Sequence, residues 1–130
     1  MNQSRWWVDH ERLWKQLVPR SGQADTIQGE LIRCTGKLSD EAYRNGNKNW
    51  DANHEQMLSF VSRTLDDPST FNLDQRTMIS KAVERITQNI DSPDVTGHGS
   101  DLYLLCEMAV SWCLAHSEPI SRPKNLNLKR

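Results

Sequence analysis

Glu30, Arg33, Lys37, Glu41 and Arg44 recur at three-, four- and eleven-residue intervals in one stretch of the chain. On a helix turning about 100° per residue they share one strip, where opposite charges fall at i,i+3 and i,i+4. Asn45, Asn47 and Trp50 follow directly, bringing amide donors and acceptors and an aromatic ring to the end of that strip. Residues of these types could bind a polar partner surface, so Glu30, Arg33, Lys37, Glu41, Arg44, Asn45, Asn47 and Trp50 form the candidate binding site. The competing expectation is structural: Arg33 and Glu41 pair inside the fold and the strip is only a helix face.

A second pattern offers metal chemistry. Asp51, His54 and Glu55 stand within one helical turn, and carboxylates with an imidazole can ligate a divalent ion. Joined with Glu30 and Glu41 they would make a metal-dependent hydrolase of a nucleotide or phosphate ester. Glu30 and Glu41, however, are eleven residues apart, about 16 Å along a helix, too far to share one ion. Acidic residues at a helix start are also what the helix dipole favours. The primary reading therefore assigns no catalytic residue, no metal and no cofactor.

Cys34, Cys106 and Cys113 are an odd number without a C-x-x-C pair, which suits reduced, packed thiols better than a disulfide frame. Cys113 and His116 are i,i+3, the spacing for an activated thiolate, but both lie on an apolar stripe. No phosphate-binding glycine loop, dinucleotide fingerprint, nucleophile elbow or H-E-x-x-H motif occurs.

The elements that must position these groups are all helical. Trp6, Trp7, His10, Leu13, Trp14 and Leu17 predict a helix over about Ser4–Val18. A second, the longest, spans about Gln23–Arg44; Ile27, Leu31, Cys34, Leu38 and Ala42 form its core stripe, and Gly29 and Gly36 weaken it. Asp51 is placed to cap a third over about Ala52–Leu65. Asn72, with Gln75 in the capping-box position, opens a fourth over about Leu73–Ile90, whose Arg76, Lys81, Glu84 and Arg85 face water. Asp94–Gly99 reads as a flexible loop presenting His98, and Ser100 as the cap of a fifth helix, about Asp101–Ala115. That last helix is apolar nearly all round, so it is expected at the centre. The fold class expected is all-α, a compact bundle of about five helices with a buried C-terminal helix.

Composition supports one domain. Of 130 residues 36 % are hydrophobic, five are Trp, and the formal net charge is -1. Pro119–Arg130 holds four basic residues and no acid, so residues 1–118 carry -5 beside a flexible basic tail of +4. No run approaches the length of a membrane span, and Met1–Trp6 has no signal-peptide pattern, so a cytoplasmic setting is expected. The acidic body argues against nucleic acid as partner and leaves another protein. The stretches Ser21–Arg33, Glu41–Asn47 and Ser100–Tyr103, with Pro119, resemble a group of small uncharacterised bacterial helical proteins. That resemblance implies a small bacterial protein and no particular activity. With no catalytic motif, the sequence points to a bacterial binding protein, such as an immunity or inhibitor protein that occludes its partner.

Overall fold

The computed structural model describes residues 25–45, 48–88 and 96–121. Four helices follow in chain order: α1 (Ile27–Asn45), α2 (Ala52–Leu65), α3 (Leu73–Gln88) and α4 (Thr96–Ala115). The described chain is all-helical apart from one isolated bridge between Thr26 and Ser121. None of its helices is long and apolar enough to cross a membrane. The helix expected over Ser4–Val18 and the basic tail beyond Ser121 lie outside the described residues.

Side-chain chemistry sets the helix starts. Asp51 Oδ1 accepts from the backbone N–H of Asn53 and His54, at 3.0 and 3.2 Å, while the Asp51 N–H donates to His54 Nδ1. Asn72 and Gln75 make a reciprocal box: each accepts from the other's backbone N–H, at 2.8 and 2.9 Å. Thr26 caps α1, its Oγ1 accepting from the Gly29 N–H at 2.9 Å. This cap sets the start of α1 at Ile27 rather than near Gln23, and puts Gly29 in the first turn. Amides there have no partner one turn back, so this glycine weakens α1 less than a mid-helix one would. The same physics lets α4 begin at Thr96 through Gly97 and Gly99, where a loop ending in a Ser100 cap is expected from the sequence.

Leu31, Leu38, Val61, Leu65, Ile79, Ile86, Leu102 and Leu105 fill the core, each nearly inaccessible to solvent. Among the described helices α4 packs against all three others, chiefly α1 and α3, while α1 packs against α2 and α4 and buries the larger share of its side chains. Small side chains allow this: Gly29, Thr35 and Ser39 are buried on α1 together with its apolar stripe. Thr35 Oγ1 donates back to the carbonyls of Leu31 and Ile32, so its hydroxyl is satisfied inside. By contrast α4 keeps Glu107, Ser111, Leu114 and Ala115 in solvent, a stripe at helical spacing that its apolar composition conceals.

Two polar devices close the bundle. Gln28 is 2 % exposed and holds the segment after α4: Nε2 donates to the carbonyls of His116 and Glu118, and Oε1 accepts from the Ile120 N–H. The Ile27 N–H adds a bond to the Ile120 carbonyl at 2.8 Å. Across the molecule Asp67, in the α2–α3 turn, accepts from Ser69, Thr70 and the Trp112 indole N–H, the last at 2.8 Å. His116 Nε2 lies 3.2 Å from the same carboxylate, with its ring stacked on Trp112. Elsewhere Arg85, placed in water by its sequence pattern, forks onto the nearly buried Asp101 carboxylate, its Nη2 2.7 Å from Oδ1.

Burial by itself raises the Asp67 pKa, but the donors from Ser69, Trp112 and Thr70 outweigh it and hold the carboxyl well below the usual range. A depressed native pKa contributes stability above the unfolded value, near 4, and loses it as pH falls. Asp67→Asn should therefore cost about 1–3 kcal/mol at pH 7. The gap from wild type should narrow as pH is lowered from 5 towards 2, read from urea midpoints at each pH.

Candidate functional site

The charged strip on α1 divides. Glu30 and Glu41 are 3 % and 6 % exposed, whereas Arg33 and Lys37 face solvent. The two acids sit at the inner border of the strip, next to the core stripe, and the bases at its outer edge. Arg33 forks onto Glu30, Nε to Oε1 at 3.1 Å and Nη2 to Oε2 at 2.6 Å. The Cys34 thiol reaches the same carboxylate at 3.6 Å. Hydrogen bonding to Glu30 raises the Arg33 pKa against the opposing effect of partial burial. The guanidinium stays 44 % exposed and is held by two parallel bonds.

Glu41 anchors the other end. Its Oε2 accepts from the Asn49 N–H at 2.6 Å, tying the loop after α1 back onto the helix. The expected Arg33–Glu41 pairing is thus replaced by two separate anchors, Glu30 for Arg33 and Glu41 for Asn49. Lys37 makes no side-chain hydrogen bond or ion pair among the described residues, and Lys48 is exposed in the loop. Arg44 and Asn45 lie on the last turn of α1, but their side chains, like all of Asn47, are outside the description.

Trp50 half-buries its ring against the core and stacks on His54, with centroids 5.2 Å apart. Its indole Nε1 is enclosed without a hydrogen-bond partner. Asp51 is exposed and its pKa is lowered, chiefly by the contact of its carboxylate with the His54 ring, 2.9 Å away, and then by the His54 backbone N–H. Asp51 and His54 are therefore engaged with each other as the α2 cap. Glu55 points elsewhere, to an open groove of about 420 Å³ between α2 and α3, floored by Leu58 and Val83. The five residues of the metal alternative are not brought together. Among the described residues no group of three His, Cys, Asp or Glu could hold a metal ion.

All three cysteines are buried and none is in a disulfide, and burial pushes the Cys106 thiol up to about 12. Cys113 does not meet His116 as the i,i+3 spacing suggests; that ring turns to Asp67 and Thr70 beyond the helix end. Thr70, His116 and Asp67 invite comparison with a nucleophile, base and acid. Such a relay needs the acid on one imidazole nitrogen and the hydroxyl on the other. Here Nε2 alone faces both Thr70 Oγ1, at 3.0 Å, and Asp67. The cluster is a hub of hydrogen bonds with no directed proton path. Asp67-Pro68-Ser69-Thr70 does carry a turn signal in sequence, whereas nothing local foretells that Trp112 and His116 converge on it.

No family model, curated protein or solved structure matches the chain.

Replacing the strip's residues singly should separate its two halves. Glu30→Ala and Glu41→Ala should each cost about 2–4 kcal/mol, because each removes a buried carboxylate and leaves its partner groups unmatched. Lys37→Ala should stay within about 0.5 kcal/mol of wild type. Guanidinium titration of the three variants provides the comparison.

Proposed function

We propose that this protein is a non-catalytic binding domain that works by covering a protein partner, in the manner of an inhibitor or immunity protein. The observation that carries the reading is Arg33, a cation fixed by a bidentate bond to a buried carboxylate yet exposed to solvent. Arginine is enriched among residues that dominate protein interfaces. A side chain already held in one geometry loses less conformational freedom when a partner docks. Lys37 beside it, and the half-buried Trp50 at the far end of α1, extend the surface. The carboxylates that would serve a hydrolase are instead engaged in holding backbone and side chains: Glu30 with Arg33, Glu41 with Asn49 and Asp51 with its cap. A bacterial origin and a cytoplasmic setting belong to the same proposal.

Two measurements test it. Millimolar Mg²⁺, Mn²⁺ or Zn²⁺ should move the melting midpoint by less than a degree. A resident metal site filled at 100 times its Kd would add about 2.7 kcal/mol, several degrees for a chain of this size. In affinity capture from its source cells, wild type should retain a protein that Arg33→Lys loses while its melting temperature falls by no more than a few degrees, because lysine keeps a charge beside Glu30 but not the fork. A divalent-ion shift of several degrees, or identical capture by both proteins, overturns the reading.

A further inference from the structure

We propose that the Trp-rich segment over residues 4–18 docks as a helix along the outer side of α4, so that this segment rather than a partner covers that face. The docking rests on α4 and not on the α1 edge. Three of the chain's five Trp stand in the segment, and three indoles left in water would form a larger apolar patch than soluble surfaces usually carry. Trp7, His10, Trp14 and Leu17 follow one another at intervals of three, four and three residues. On a helix they share an arc of about 80° and span about 15 Å, the form of a seam that packs against a second helix. The outer side of α4 has a matching form. Tyr103, Glu107, Val110 and Leu114 stand at intervals of four, three and four residues. They fall within about 60° of one another around α4 and span about 16 Å along it. Leu114 is 61 % exposed, Glu107 is exposed, and Tyr103 and Val110 are half-buried. The other described helices pack on the opposite side, where Leu105, Ala109 and Trp112 are buried.

Attachment selects the occupant. The Thr26–Ser121 bridge and the bonds from Gln28 to the His116 and Glu118 carbonyls put the start of the described body at the C-terminal end of α4, the end that carries Leu114. Residues 19–24 join the segment to that point and can span up to about 20 Å. The segment can therefore lie back along α4, with Leu17 towards Leu114 and Trp7 towards Tyr103. A tether this short gives an effective concentration in the millimolar range, above that of a free second copy or partner at micromolar levels. Charge favours the same arrangement. Residues 1–20 hold four basic and two acidic residues, against eight basic and fifteen acidic over residues 25–118. His10, on the seam, brings a hydrogen-bond donor to a face that carries Glu107 at its middle. The chain beyond Ser121 leaves from the same end, but its large apolar residues are only Leu126 and Leu128, two apart and without helical spacing.

Hydrogen exchange of the full chain, read by mass spectrometry, tests the docking. Amides within residues 4–18 should exchange at least tenfold more slowly than in a synthetic peptide of the same sequence, equally at 2 and 100 µM protein. Leu114→Asp, and the double variant Trp7→Ala with Trp14→Ala, should each return them to the free-peptide rate while α1 keeps its wild-type protection. Leu73→Asp, at the 68 % exposed leucine of α3, should leave the segment protected. Should Leu114→Asp also deprotect α1, the Trp pair decides, because it removes nothing from the described body. Free-peptide exchange in the wild type leaves the α4 face to a partner and overturns the proposal. Protection that grows with concentration assigns the face to a second copy and overturns it too. Protection that survives the substitutions, or is lost in Leu73→Asp, places the segment elsewhere with the same result.

Discussion

A carboxylate inside a protein is tolerated only where other groups compensate it, and Glu30 imposes that condition on α1. Its compensation comes from Arg33, one turn further along the same helix and therefore at its surface. This pairing fixes the rotation of α1 within the bundle. Turned one way, Glu30 would swing out and the fork would lose its buried half. Turned the other, Lys37 would be drawn into the apolar interior between α2 and α4. The core stripe of Leu31, Cys34, Leu38 and Ala42 sets the approximate orientation of the helix, and the Glu30 anchor narrows it.

Enclosing α1 on two sides makes its ends the weak points, and the bundle is stitched at both. Gln28 and Ile27 bind the chain after α4, while Glu41 ties down the loop leading to α2. Asp67 does the same work where α2 turns into α3, collecting donors from its own turn and from the end of α4. Apart from the Ile27–Ile120 backbone bond, each runs from a side chain to a turn or chain segment. Helix packing alone would leave such segments free to fray, since they bury little apolar area of their own.

Helical periodicity and caps made much of this legible from sequence, because both are local. Asp51 and the Asn72–Gln75 box stand where their residue types and spacing place them, and α2 spans the expected residues. How fully each helix is enclosed was less legible. α4 reads as apolar all round, but Glu107, Ser111, Leu114 and Ala115 on one side of it are exposed, and that depends on the placement of the other helices. Gln28 illustrates the same limit: an amide on a helix carries no mark of the chain segment 92 residues away that it binds. For the candidate site, the strip was visible as charges at helical intervals. Its division into buried acids and exposed bases turned on a few tens of degrees of helix rotation, finer than a periodicity argument resolves.

The antiparallel bridge between Thr26 and Ser121 brings the two limits of the helical body side by side. The four helices between them thus form a closed circuit, with Gln28 and Ile120 as its clasp. Such a body need not keep its natural order of elements. A short link joining residues 26 and 121 would permit new termini in an exposed turn, with every contact among the described helices retained. By the same geometry it could be carried as an insert in a surface loop of another protein, entering and leaving through one narrow neck.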